Sequence, residues 1–279
     1  TVFSGHCAAP RGGYAMTHTP PQGLHVRALG VRYGRRPVLE HVDAGPFPHG
    51  AVSAVLGPNG SGKSTLLRAM GGLLRATGTV LLDGVDLTPL PLAQRTQHCL
   101  YLPQALPEPV RLSVLDAMLA ARHTTGRQNG ADTTRDIDAA MACLHDVGIA
   151  HLATRSLHEL SGGQRQLAGL AQALGRKPRA LLLDEPLSAL DPYYQQTIMA
   201  LLRRETAQRG LVTIMVLHDL NMALNQCDLA CLLHGGRILA SGEPAHVLTP
   251  EHLRTVYRIA ARVDEGANGQ RFISTTGVV

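Results

Sequence analysis

The run Gly57-Pro58-Asn59-Gly60-Ser61-Gly62-Lys63-Ser64 fits the pattern G-x-x-x-x-G-K-[ST], whose chemistry is phosphate binding. Glycines at those positions let the backbone curl so that successive N–H groups point inward. Together with the positive end of a following helix they make a nest for an anion. Lys63 is placed to reach the β- and γ-phosphates of a nucleotide, and the Ser64 hydroxyl to ligate Mg²⁺. An accidental match is expected in about one chain in a hundred of this length. Lysine usage argues against accident: the chain has two, Lys63 and Lys177, and every other basic residue is arginine. A compact point charge is kept where a phosphate needs one. A second stretch, Leu160-Ser161-Gly162-Gly163-Gln164, opens a helical pattern that continues through Leu174. Small residues at a helix N-terminus make a second site for an anion.

The elements that must position these residues can be read from the flanking pattern. Val52–Leu56 is apolar and predicts a buried strand before the phosphate loop; Thr65–Met70 predicts the helix after it. Ala180–Leu183 is an apolar strand ending in two acids, Asp184 and Glu185, and Leu211–Leu217 is another, ending at His218. Cys99–Pro103 predicts a strand that stops at Gln104. Helices between such strands, Pro192–Arg204 and Asp219–Asn225, imply a mostly parallel sheet covered on both faces. Leu24–Val31, Pro37–Val42 and Gly78–Gly84 predict a small antiparallel sheet against that core, with turns at Gly34-Arg35-Arg36 and Asp83-Gly84. Leu229–Leu233 and Ile238–Ser241 form a hairpin around Gly235-Gly236, and Thr249 caps a last helix opened by Pro250. From Ser113 to Gly175 strand character is lost: Ser113 caps a helix to about Ala121, Thr124–Thr133 is a polar loop, and Asp136–Val147 is helical.

The expected organisation is therefore an α/β phosphate-loop NTPase core over 24–104 and 176–262, which includes the antiparallel β subdomain. A helical subdomain is inserted at 105–175. A flexible leader, with Met16 as a candidate start, covers 1–23, and a C-terminal tail covers 263–279. Of 279 residues 44% are hydrophobic but only 3% aromatic, so the core is built from Leu, Val and Ala. The net charge of +5 suits polyphosphate ligands and anionic surfaces. No basic patch is interleaved with aromatics, which argues against nucleic acid. The five cysteines (Cys7, Cys99, Cys143, Cys227, Cys231) are scattered without C-x-x-C and read as reduced core thiols. No apolar run approaches the ~18 residues of a membrane span.

The motifs together resemble the nucleotide-binding subunits of ATP-binding cassette (ABC) transporters, over Leu24 to about Arg258. They arrive in that family's order: phosphate loop, Gln104, Leu160-Ser161-Gly162-Gly163-Gln164, Leu181-Leu182-Leu183-Asp184-Glu185, Ser188-Ala189-Leu190-Asp191, His218. The resemblance implies that Tyr33 stacks on adenine and that residues 57–64, with Thr65, bind the ATP phosphates. It implies that Ser64, Gln104 and Asp184 serve Mg²⁺. Glu185 orients and deprotonates the attacking water, His218 contacts the γ-phosphate, and Gln104 sits at the hinge to the helical subdomain. Ser161, Gly162, Gly163 and Gln164 act on the ATP of a second copy, and Asp191 touches that copy. ATP and Mg²⁺ are the implied cofactors. The implied partners are a second copy, membrane permease subunits and, indirectly, a substrate-binding protein, at the cytoplasmic face of the membrane.

The C-terminal half resembles the importer branch for ferric siderophores, haem and cobalamin, through Val216-Leu217-His218-Asp219-Leu220-Asn221, Gly235-Gly236-Arg237-Ile238, Gly242-Glu243-Pro244, Thr249-Pro250-Glu251 and Val256-Tyr257. Two stretches depart from that branch. Ala120-Ala121-Arg122-His123 stands where an Arg-Gly-Arg-Tyr-like stretch is common, and Leu167 stands where an arginine is common. The alternatives are the ATPase of another ABC transporter, for metal, lipid or export, and a cytosolic ABC protein. Repair-type cytosolic members need a long coiled-coil insertion and translation-type members two cassettes; this chain has neither.

Overall fold

The computed structural model describes residues 22–104, 111–123, 133–266 and 269–279. Residues 1–21, with Cys7 and Met16, lie outside them, as does the polar stretch 124–132. In chain order the elements are β1 (Leu24–Tyr33), β2 (Arg36–Phe47), β3 (Val52–Leu56), α1 (Lys63–Met70), β4 (Thr77–Leu82), β5 (Val85–Asp86), α2 (Leu92–His98) and β6 (Cys99–Leu102). Then come α3 (Val114–His123), α4 (Thr133–Asp146), α5 (Gly162–Gly175), β7 (Ala180–Asp184), α6 (Pro192–Arg209), β8 (Val212–Val216) and α7 (Leu220–Gln226). The chain finishes with β9 (Leu229–His234), β10 (Arg237–Gly242), α8 (Pro244–Val247), α9 (Pro250–Tyr257), β11 (Ile259–Glu265) and β12 (Arg271–Val278).

The central sheet has the order β10-β9-β3-β8-β7-β6. All its neighbours run parallel except the β9–β10 hairpin. Every residue of β3, β7 and β8 is buried, as expected for strands covered on both faces. The period of two then divides the core. Val52, Ala54, Leu56, Leu181, Leu183 and Met215 face α5, α6 and the helical lobe. Val55, Leu182, Ile214 and Val216 face α1 and the antiparallel sheet β2-β1-β4-β5. Leu182 is fully buried, and such a leucine is worth about 2–5 kcal/mol against alanine. Ser53 is the polar exception in β3, its hydroxyl buried with no partner among the described residues.

The sheet order matters for function because β3, β8, β7 and β6 are consecutive neighbours. Val55 is level with Val216, Val216 with Asp184, and Leu183 with Leu102. The four segments that leave their carboxyl ends carry the phosphate loop, His218, Glu185 and Gln104. They therefore emerge along one edge, which is where open α/β sheets build their sites.

Helix α5 opens with a capping box: the Ser161 hydroxyl accepts from Gln164 N–H, and the Gln164 side chain accepts from Ser161 N–H. Asp191 caps α6, and Asp219 caps α7. Helix α6 continues to Arg209, past the expected Arg204, because the residue that can end it is Gly210, in the left-handed conformation at φ 60°. The larger difference is at the end of the chain. Within the expected tail 263–279, residues 263–265 and 271–278 pair as part of the antiparallel strands β11 and β12, the first of which begins at Ile259. Its apolar side chains Ile259, Val263 and Ile273 join the core under α9. The amide of Asn221 bonds both Ile273 N–H and Ile273 C=O, and Asn225 bonds Arg271 C=O. The short helices α2 and α8 were not legible in the pattern.

Candidate functional site

The phosphate loop leaves β3 at Leu56. Gly57 is held at φ 148°, and a Cβ there would lie 2.2 Å from the carbonyl oxygen of Leu233. Gly62 takes φ 105° as the residue before α1; a side chain at either position is excluded by strain or by overlap. Lys63 is buried and folds back on the loop, its ammonium donating to Gly57 C=O at 2.8 Å and Pro58 C=O at 3.1 Å. Burial lowers its pKa, with Glu185 and Asp184 acting in the opposite sense. Ser61 is buried, and its hydroxyl has no partner among the described residues. An orphaned hydroxyl beside a lysine satisfied by carbonyls alone fits a loop whose remaining partners are phosphate oxygens. Asn59 and Gly60 are exposed, and Ser64 and Thr65 fall in the first turn of α1, half-buried.

Asp184 ends β7 with 2% exposure. Its Oδ1 accepts from the Ser64 hydroxyl at 2.9 Å and its Oδ2 from the Tyr101 hydroxyl at 2.8 Å. Tyr101 in turn accepts from Arg68 Nε at 3.1 Å. Burial pushes the Tyr101 phenol up to about 12, so it stays a donor to Asp184. A hydroxyl and a carboxylate in contact, both oxygen donors, are the ligand types Mg²⁺ selects. Sequence reasoning missed Tyr101 and Arg68; the one signal for Tyr101 was an aromatic inside an otherwise aliphatic strand.

Glu185 comes next. Its Oε1 lies 2.5 Å from His218 Nε2, and its Oε2 accepts from Gln104 Nε2 at 2.5 Å. The residue itself has φ 50°, and its carbonyl accepts from Gln166 and Ser188. A cavity of about 290 Å³ opens beside Glu185 and His218, floored by Leu187, Val216 and Met222. A carboxylate held from both sides by neutral or cationic groups at a cleft is arranged as a base.

Tyr33 ends β1 with 49% of its surface exposed, free to present a ring face. The stretch Ser161–Gln164 is not part of this cluster. Among the described residues no hydrogen bond joins it to the phosphate loop, Asp184, Glu185 or His218. Ser161 and Gly162 face solvent, while a Cβ on Gly163 would come within 2.9 Å of Ala189 C=O. Asp191, exposed, spends one carboxylate oxygen on Tyr194 N–H. The chain thus brings the phosphate loop, the Asp184–Ser64 pair and the Glu185–His218–Gln104 cluster to one edge of the sheet, and leaves Ser161 and Gly162 exposed.

A phosphate loop between β3 and α1, with acids at the end of the neighbouring parallel strand, defines a P-loop nucleotide-binding ATPase fold. The family model for the ABC transporter matches residues 44–188. The chain is 42% identical over 250 residues to the hemin import ATP-binding protein HmuV of Pseudomonas fluorescens strain Pf-5, covering 87% of this chain and 95% of that one. It is 38% identical to HmuV of Gloeobacter violaceus over 86% of this chain and 89% of that one. Among solved structures, one described as an inward-facing ABC transporter of the metal-chelate type superposes with TM-score 0.74 at 28% identity, covering 92% of this chain and 98% of that one. The dimeric bacterial ABC transporter cassette MJ0796 superposes with TM-score 0.71 at 25% identity, over 79% and 98% of the two chains. The chain belongs to the ABC transporter family, as an ABC-type ATPase.

Proposed function

We propose that this chain is the ATP-hydrolysing subunit of an importer that carries an iron complex, with haem the favoured cargo, through a separate membrane permease. The observation that carries the hydrolytic reading is Glu185, gripped by His218 and Gln104 one residue beyond the Asp184–Ser64 pair. The haem reading is supported by the printed function of the relatives and by their coverage of nearly the whole chain. Among the described residues no helix is long and apolar enough to cross a membrane, so the reading assigns the spanning to other chains, with this one bound at their cytoplasmic face.

In this reading the loop N–H groups, Lys63 and the Ser61 hydroxyl hold the β- and γ-phosphates, and Tyr33 stacks on the base. Ser64, Asp184 and Gln104 would hold Mg²⁺, which supplies charge neutralisation of the phosphate oxygens. Glu185 takes a proton from water lying between its carboxylate and the γ-phosphate, while His218 hydrogen-bonds a γ-oxygen. Ser161, Gly162, Gly163 and Gln164 complete the site on a second copy, so a symmetric pair holds two equivalent sites. Hydrolysis removes the γ-phosphate that bridges the pair and lets it open. Glu185→Gln is expected to keep ATP binding, lower turnover at least a hundredfold and accumulate an ATP-bound dimer in size-exclusion chromatography. Wild-type turnover by that variant would remove Glu185 from the role. Haem-stimulated ATPase in vesicles containing the cognate permease and binding protein tests the cargo. Stimulation by a ferric siderophore or cobalamin instead would reassign it within the same branch.

A further inference from the structure

Glu185 occupies the left-handed region at φ 50° without being glycine. A residue with a Cβ stays there only when its surroundings over-determine it, and the surroundings here converge on one atom. The carbonyl oxygen of Glu185 accepts from the Ser188 hydroxyl at 3.0 Å, from Ser188 N–H at 3.3 Å and from Gln166 Nε2 at 3.1 Å. The Ser188 donors are local, three residues ahead. Gln166 is not: it lies on α5, 6% exposed, in the second turn of the helix that begins with the signature. None of the roles assigned above uses it.

We propose that Gln166 is a positioning residue for the catalytic base, tying the signature helix to the backbone of Glu185 within the same chain. This rests on the reading of Glu185 as the base. Turning the Glu185 peptide turns its Cα–Cβ bond, and with it a carboxylate whose two oxygens each have a partner at 2.5 Å. A lost anchor on the carbonyl therefore releases the carboxylate from His218 and Gln104 together. Helix geometry extends the effect. Gly163 and Gln166 are three residues apart and share one face of α5. Gly163 packs against Ala189 C=O, and Gln166 bonds Glu185 C=O. One helix face thus grips both the start of the loop after β7 and its far side. A shift of the signature turn, when it docks on the nucleotide of the other copy, is carried to the base of its own chain.

The test uses the full-length chain with Gln166→Met, which removes the donor at similar length, and Gln166→Glu. Gln166→Met is expected to lower kcat at least tenfold while the ATP KM changes less than twofold. Gln166→Glu faces the carbonyl with a carboxylate when ionised and with an O–H donor when protonated. Ionised, it presents no donor and sets a carboxylate against the carbonyl, so at pH 8.5 its kcat is expected to fall at least as far as that of Gln166→Met, again with the ATP KM little changed. Combined with Glu185→Gln, Gln166→Met is expected still to form the ATP-bound dimer, because the signature turn itself is intact. A kcat within twofold of wild type in Gln166→Met, a kcat within twofold of wild type in Gln166→Glu, or loss of the dimer in the double variant would each overturn the proposal. The single Glu185→Gln variant separates the two readings. If it turns over normally, the base assignment fails. If it is inactive while both Gln166 variants are fully active, the inference about Gln166 fails alone.

Discussion

The two acids at the end of β7 differ in what surrounds them, and the proposed function divides their work along that difference. Asp184 is buried with both oxygens accepting from hydroxyls, Ser64 and Tyr101. Glu185 has its carboxylate at a cleft between an imidazole and an amide. Tyr101 is the residue that aims Asp184: its phenol is kept protonated by burial and is itself held by Arg68. Removing such an outer partner of a metal ligand typically costs 10–100-fold in metal affinity. Tyr101→Phe is therefore expected to raise the Mg²⁺ concentration for half-maximal ATPase about tenfold, with kcat at saturating Mg²⁺ little changed. An unaltered Mg²⁺ titration would show that Asp184 needs no such support.

At the scale of elements, the phosphate loop depends on how α1 is anchored at its other end. Arg95, on α2, is buried and donates to the carbonyls of Ala69 and Met70 in the last turn of α1. A guanidinium there satisfies the carbonyls a helix leaves unpaired and sits at the negative end of its dipole. Its aliphatic stem also fills the space beside Gly72. Arg95→Met takes the guanidinium donors from Met70 C=O, while Ala69 C=O keeps Gly72 N–H, a loss of about 2–3 kcal/mol. The expected outcome in calorimetry is a Tm lower by about 5–10 °C, partly recovered by saturating ATP because the nucleotide binds the folded state. Thiol chemistry follows the same packing. Cys99, Cys227 and Cys231 are buried thiols pushed up to about 12, in line with core residues and not with a redox or metal site.

At the scale of the molecule, the proposed function makes the signature turn a half-site. The Ser161 hydroxyl and the Gln164 side chain each accept from the other residue's backbone N–H in the capping box. Ser161 and Gly162 are exposed, and among the described residues no hydrogen bond joins them to the chain's own phosphate loop. The exposed Asp191 and Tyr193 stand next to the signature turn at the start of α6. Ser161→Arg is expected to leave ATP affinity of the monomer within twofold and to abolish the ATP-dependent dimer in the Glu185→Gln background, read by analytical ultracentrifugation. A dimer of wild-type stability in that double variant would show that closure does not pass through Ser161.

What the sequence by itself determined is what contiguous backbone can build. The phosphate loop and the capped signature turn are made of residues adjacent in the chain, so residue type and spacing carry them. The near-continuous apolar runs of β3, β7 and β8 carry a sheet buried on both faces. Tertiary structure decided the rest, because a contact between distant segments depends on sheet order, which periodicity does not encode. Only the succession β3-β8-β7-β6 brings Gln104 and His218 onto the two oxygens of Glu185. The same holds for Tyr101 on Asp184 and Gln166 on the Glu185 carbonyl. It holds also for residues 259–265 and 271–278, which pair as β11 and β12 with Asn221 and Asn225 supplying hydrogen bonds along β12.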